Sequence, residues 1–199
     1  ENGQAEKAML FASKSNSVEL LGLHCHIGSQ IFETTGFLLA AEKLMKKLKE
    51  WSDKFEFKAE VLNLGGGFGI RYTAEDSPLP AASYVEEIVV KVKSLAEQFE
   101  LALPEIWIEP GRSLVGDAGT TIYRIGSTKE IPNVRKYVAV DGGMSDNIRP
   151  ALYNAKYDAV LANRVNDQAE EKVSIAGKCC ESGDMLIWDI PLPKTSQIG

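Results

Sequence analysis

Three short clusters concentrate the residues best suited to chemistry: HCHIGSQ at 24–30, NLGGGFG at 63–69 and EPGR at 109–112. Gly65, Gly66, Gly67 and Gly69 can turn backbone N–H groups toward an anion without interference from a Cβ, as glycine loops do around phosphate. The same run would serve as a plain tight turn between a strand and a helix. Ser29 and Arg112 supply a hydroxyl and a guanidinium, which could complete a phosphate site. His24 and His26 alternate on an extended segment, so both face one side and Cys25 the other. A His-x-His pair is half of a zinc site, yet the sequence holds no further histidine and a catalytic zinc needs a third ligand, so no metal is expected. Stacking on a flat aromatic cofactor, or a satisfied core histidine, are the other uses of His26. Glu109 ends an apolar strand, where a carboxylate needs a partner. That partner is either Arg112, in a structural ion pair, or the ring nitrogen of a heteroaromatic cofactor.

Two more clusters lie downstream, DGGMSDNIRPALY at 141–153 and CCESGD at 179–184. Asp141-Gly142-Gly143 reads by itself as a hairpin turn. Arg149 and Tyr153 are four apart, so if Pro150 opens a helix they share a face and can grip a carboxylate. Cys180 stands among Glu181 and Asp184, and acidic neighbours favour a protonated, proton-donating thiol over a thiolate nucleophile. A quiet structural cysteine is the plainer alternative.

The elements that must carry these clusters follow one grammar in the first part of the chain. A β-rich run ends in a polar or glycine-rich cluster and a helical run follows, recurring about every forty residues, the size of a βαβ unit. Val18 to His26 reads as the first strand, and its helix is apolar at Leu38, Ala41, Met45 and Leu48. Ala59 to Leu64 is the second strand. The next helix opens with Ser83 and Glu86 in capping-box spacing and is apolar at Val85, Ile88, Val92, Leu95 and Phe99. Glu105 to Glu109 is the third strand. From about Ala118 the pattern changes to short β-rich runs (TTIYRIGS, KYVAVDGG, KVSIAG, MLIWDI) with one helical stretch around Tyr153 to Ala162. The expected class is α/β: residues 1–117 as the C-terminal part of a (β/α)8 barrel, then residues 118–199 as part of a mostly β domain. Three βα units cannot close a barrel, so a chain cut from a longer one is expected, with pairing-prone edges and poor solubility. Because barrel active sites gather at the C-terminal strand ends, one location is expected for all three upstream clusters.

Composition narrows the function classes. With 44% hydrophobic and 25% charged residues the sequence is that of an ordinary globular protein. A formal net charge of −6 argues against nucleic acid or an anionic membrane as partner and toward a small-molecule ligand. There is no apolar run of membrane-spanning length and no signal-peptide pattern in ENGQAEKAMLFASKS, which points to the cytoplasm. Three cysteines, two of them adjacent, fit a reducing compartment better than a disulfide framework.

Taken together, HCHIGSQ, LNLGGGFG, EPGRSLVGDAG, VDGGMSDNIRPALY and CCESGD, in this order and at these distances, resemble the diaminopimelate decarboxylases. The resemblance covers nearly the whole chain. The wider group includes the ornithine and arginine decarboxylases, is related in its barrel to alanine racemase, and binds pyridoxal 5′-phosphate. The resemblance implies that His26 stacks on the cofactor ring and that Ser29, Gly66, Gly67 and the EPGR segment, with Gly111 and Arg112, hold its phosphate. Glu109 pairs with the pyridine nitrogen, while Arg112, Arg149 and Tyr153 contact substrate. Cys180 becomes the proton donor and Glu181 a reader of the substrate's distal end, both reaching the partner's site in a homodimer. The substrate is then an amino acid with a second carboxylate, which RPALY and CESGD favour over ornithine, arginine or a carboxylated polyamine. Members of the group attach the cofactor to a lysine on an early barrel strand. None of the three strand ends here presents one, so the 199-residue chain alone is expected to be inactive. A noncatalytic relative and a zinc-dependent barrel hydrolase are the alternatives from other classes.

Overall fold

A computed structural model describes residues 3–194 and 196–199. The chain divides into two compact units, one running to Ile70 and taking in Ser77–Ala118, the other formed by Arg71–Asp76 and the chain from Gly119 onward.

The first unit contains helix α1 (Gln4–Ala12), strand β1 (Gly22–His24), α2 (Thr35–Phe55), β2 (Val61–Asn63), α3 (Ala81–Gln98), β3 (Glu105–Trp107) and the single turn α4 (Arg112–Val115), which runs into a 3-10 turn. The strands form a parallel sheet in the order β1-β2-β3, with Gly22 opposite Val61 and Val61 opposite Glu105. Parallel pairing requires a crossover between strands, and α2 and α3 supply it. Their inward faces follow the helical period: Phe37, Ala41, Met45, Leu48 and Trp51 on α2, and Tyr84, Ile88, Val92, Leu95 and Ala96 on α3. All of these side chains except Trp51 meet Leu62 and Leu64 in one core. Each fully buried large apolar side chain contributes about 1.5–3 kcal/mol, so the two stripes hold the strand ends in place.

In the second unit β4 (Ile125–Ile131), β5 (Arg135–Val140), β6 (Glu171–Ala176) and β7 (Met185–Leu192) form a four-stranded sheet in sequence order, with α5 (Arg149–Tyr153) between β5 and β6. The β4/β5 and β6/β7 pairs are antiparallel and β5/β6 is parallel. Val138, Val140, Val173, Ile175, Leu186, Ile190 and Leu192 form its core.

Several local expectations change. No capping box forms at α3: Pro80 is the N-cap residue, at φ −57°, and Ser83 lies inside the first turn. Proline's fixed φ already suits a helix start, so the helix begins before the serine can cap it. The helical stretch expected at Tyr153–Ala162 instead ends at Tyr153, because Asn154 adopts a left-handed conformation at φ 51°. Asp141-Gly142-Gly143 is no hairpin, since the strand after it, β6, pairs parallel with β5. The expectation had not included α1, which buries only Met9.

The turn at 72–76 gives a pH prediction. One carboxylate oxygen of Asp76 accepts hydrogen bonds from the Tyr72 and Thr73 N–H groups, each at 2.9 Å. The Thr73 bond first, then the Tyr72 bond, holds this carboxyl below its ordinary value. Stabilisation from a depressed carboxyl is present above the unfolded-state value and is lost as pH falls through the folded-state value. Amide exchange at Tyr72 and Thr73, corrected for intrinsic rate, is therefore expected to lose protection below about pH 4. In Asp76→Asn this acid-dependent loss should disappear; a wild-type profile in that variant would contradict the assignment.

Candidate active site

In the first unit the three clusters meet at the C-terminal ends of β1, β2 and β3. Parallel register puts His24 beside Asn63 and Asn63 beside Trp107, so the residues after them emerge together. The glycine loop is wedged between the other two. A Cβ on Gly65 would collide with the Cys25 carbonyl, one on Gly66 with the Glu109 carbonyl, and one on Gly67 with the Gly28 carbonyl. Gly65 and Gly67 also have φ of 69° and 98°, conformations that glycine alone adopts cheaply. Phe68 anchors the loop from below, buried against Phe37 at 5.2 Å edge-on and stacked on Tyr84 at 4.7 Å between centroids. Close packing alone thus demands these glycines whatever the loop binds, although they do not form a tight turn into a helix, since α3 begins only at Ala81.

Glu109 closes the cluster. Its Oε1 accepts a hydrogen bond from Asn63 Nδ2 at 2.8 Å and its Oε2 one from His24 Nε2 at 3.3 Å. The His26 ring lies against the loop, its Nδ1 accepting from the Gly66 N–H at 3.4 Å, while Cys25 packs on the core side. Ser29 is exposed, on the segment whose backbone borders Gly67. Half-buried Arg112 donates from Nη1 to Gln30 Oε1 at 3.4 Å. Gly111 differs from the other glycines: its φ of −96° suits any residue and a Cβ there would enter open space.

Two members of the cluster were not expected. Asn63 bridges the glycine loop and Glu109, since its Oδ1 also accepts from the Gly65 N–H at 2.9 Å. Gln30, at φ 60°, hydrogen-bonds both the carbonyl and the N–H of Ile70 and so ties the HIGSQ segment to the far end of the glycine run. Both side chains were visible inside the quoted motifs. Nothing local distinguishes an amide that bonds across the sheet from one that merely ends a strand.

In the second unit Arg149 and Tyr153 do share a helix face, the guanidinium carbon lying 5.7 Å from the Tyr153 ring centroid and 5.7 Å from that of Tyr72. Arg149 Nε donates to the Tyr157 hydroxyl at 3.0 Å. Cys180 and Glu181 are exposed on the loop before β7. Asp184 does not face that thiol as an acidic neighbour: its buried carboxylate accepts from the Met144 N–H at 2.6 Å and the Cys179 N–H at 2.7 Å. The cysteines consequently differ in reactivity. Burial pushes the Cys25 thiol up from its ordinary value, whereas Cys180 is exposed. At pH 8 iodoacetamide should modify Cys180 at least about ten times faster than Cys25, read by peptide mass spectrometry. Equal rates would show that the core around Cys25 opens readily.

The pyridoxal phosphate implied by the motifs can be tested against these atoms. Its ring needs a flat neighbour and a carboxylate for the ring nitrogen, and its phosphate needs N–H and cationic donors. His26, Glu109, the Gly67 N–H and Arg112 are of those kinds and converge on one end of the sheet. The residues fit the group. Among the described residues no group of three or more His, Cys, Asp and Glu is gathered as for a metal ion. No described helix is long and apolar enough to cross a membrane.

Comparison with known proteins finds relatives along nearly the whole chain. The diaminopimelate decarboxylase of Bacillus methanolicus is 71% identical over 194 residues, covering 98% of this chain and 45% of the relative. That of Bacillus subtilis (strain 168) is 64% identical over 196 residues, with 98% and 45% covered. A crystal structure of diaminopimelate decarboxylase from M. jannaschii in complex with L-lysine superposes with a TM-score of 0.84 at 34% identity, over 99% of this chain and 44% of that one. The chain thus spans under half the length of the curated relatives it matches. Residues 1–116 match the family described as pyridoxal-dependent decarboxylase, pyridoxal binding domain, and by that match the chain belongs to the pyridoxal-dependent decarboxylases.

Proposed function

We propose that the protein carrying this chain converts meso-2,6-diaminopimelate to L-lysine and CO2, the last step of lysine biosynthesis, with pyridoxal 5′-phosphate as cofactor. The carrying observation is the anchored Glu109 carboxylate at the strand ends, beside His26 and the glycine loop. Relatives of 61% to 71% identity that bear the name diaminopimelate decarboxylase support the choice of substrate.

When bound, the cofactor supplies an electron sink for the pair released as the substrate carboxylate departs. Glu109 holds a proton on the ring nitrogen, because an adjacent negative charge favours the protonated form. His26 packs on the ring. Ser29, Gly66, Gly67, Gly111 and Arg112 bind the phosphate, with Arg112 also reaching substrate. Arg149 and Tyr153 grip a substrate carboxylate, the guanidinium being held at Nε by the Tyr157 hydroxyl. Cys180 delivers a proton from Sγ to the Cα that lost CO2, and Glu181 reads the amino-acid group at the far end. The last two residues serve the site of a second subunit, so the working form is a homodimer in the cytoplasm.

The test is turnover of the full-length protein on meso-diaminopimelate, ornithine and arginine. Lysine release should exceed the other two reactions by at least about 100-fold in kcat/KM, since a site built for a second amino-acid end rejects substrates lacking it. Lysine formation below ornithine or arginine turnover would overturn the choice. Mixing inactive Glu109→Ala and Cys180→Ala proteins should restore up to about one quarter of wild-type activity if sites are shared across a two-fold dimer. No recovery despite subunit exchange would rule out sharing.

A further inference from the structure

We infer that Asn63 and His24 are positioning residues for Glu109, a clamp with one bond on each oxygen that fixes the plane of the carboxylate facing the cofactor's ring nitrogen. The inference rests on the proposed cofactor placement and goes beyond it to two side chains that touch neither substrate nor the reacting atoms.

The geometry is specific at each atom. The Asn63 amide is oriented from its far end: Oδ1 accepts from the Gly65 N–H at 2.9 Å, which leaves Nδ2 to donate to Glu109 Oε1 at 2.8 Å. His24 Nε2 donates to the other oxygen, Oε2, at 3.3 Å. One bond on each oxygen, both from the β1 and β2 side of the sheet, restricts rotation about the last side-chain torsion, which is otherwise broad for a glutamate. Each oxygen accepts more than one hydrogen bond, so capacity for a further donor remains. Rotation would matter because Glu109 is half exposed, 53% at its side chain, and packing does not hold it. The Asn63 link also couples the carboxylate to the loop assigned to the phosphate. The two ends of the cofactor are thereby held in fixed relation by strand-end atoms of β1, β2 and the segment after β3.

The experiment uses the full-length holoenzyme with Asn63→Ala, His24→Ala and His24→Gln, alone and combined with Glu109→Gln. Melting of each variant establishes that it is folded. The first readout is the visible circular dichroism band of the bound cofactor together with its dissociation constant, neither of which depends on turnover. Asn63→Ala and His24→Ala should each shift the band in the direction of Glu109→Gln, and His24→Gln, which retains an N–H donor, should recover most of the wild-type band. In turnover, each alanine variant should lower kcat roughly 10-fold with KM changed less than about 3-fold, the signature of misplacement at the reacting centre. In the Glu109→Gln background the same substitutions should add less than about 2-fold, because residues acting through one carboxylate are not additive. A band altered by Glu109→Gln but by neither neighbour would overturn the clamp alone. Equal factors in both backgrounds would also overturn it, since the neighbours would then act independently of Glu109. A Glu109→Gln enzyme with the wild-type band would instead remove the cofactor placement, and the clamp with it.

Discussion

Replacing Glu109 by glutamine should lower decarboxylation by about 10²–10³-fold in the full-length protein, with KM for the amino acid changed far less. The carboxylate stands on the segment after β3 with a hydrogen bond on each oxygen. On the proposed cofactor placement, a negative charge at that point would favour a protonated ring nitrogen, and a protonated ring would accept the electron pair of the departing carboxylate much more readily. Glutamine preserves the volume and can still receive the Asn63 bond, but it removes the charge. The loss therefore reports charge rather than shape. Glu109→Asp keeps the charge and retracts it by one methylene, which should cost less than glutamine does if charge dominates. Steady-state kinetics on the three proteins, with cofactor saturation checked by absorbance, decides the matter. Glutamine activity within about 5-fold of wild type would mean that the ring nitrogen finds its partner elsewhere.

Much of the scaffold behind this prediction is legible in the sequence, for reasons that can be named. The stripes of α2 and α3 repeat with the helical period, and of the residues so marked Ala41, Met45, Leu48, Ile88, Val92 and Leu95 are buried, while Leu38, Val85 and Phe99 are only partly so. The triple glycine announces close backbone approach, although three carbonyl oxygens rather than an anion account for it by themselves. What stays hidden depends on contacts between distant positions. Asn63 meets Glu109 across 46 residues and Asp184 meets Met144 across 40, so their local surroundings show only an amide before glycines and an acid in a turn. Short-range competition explains the misplaced ends. Pro80 starts α3 ahead of Ser83, and Asn154 stops α5 where a helical stretch to Ala162 is expected.

Asp184→Ala should destabilise the second unit by roughly 3–5 kcal/mol, a large share of the stability of an ordinary domain. The side chain is 3% exposed, and its two oxygens accept from Met144 N–H and Cys179 N–H, tying the turn after β5 to the loop before β7. Its own backbone completes the knot, the carbonyl accepting from Gly177 N–H at 2.8 Å and the N–H donating to Glu181 at 3.0 Å. Gly143 makes room for it, since a Cβ there would lie 2.6 Å from a carboxylate oxygen, and a Cβ at Gly177 would overlap the same group. Alanine leaves two part-buried N–H groups without their acceptor and a space shaped for a carboxylate. Asparagine fills the space but presents an NH2 where one N–H needs an acceptor, so it should cost about half as much. Thermal unfolding and amide exchange at Met144 and Cys179 separate these effects. Because the knot lies between the loop of Cys180 and the turn leading to Arg149, both clusters should loosen together in Asp184→Ala. Unchanged exchange at either amide, or a melting temperature within about 2 °C of wild type, would show that the two loops are held by something other than this carboxylate.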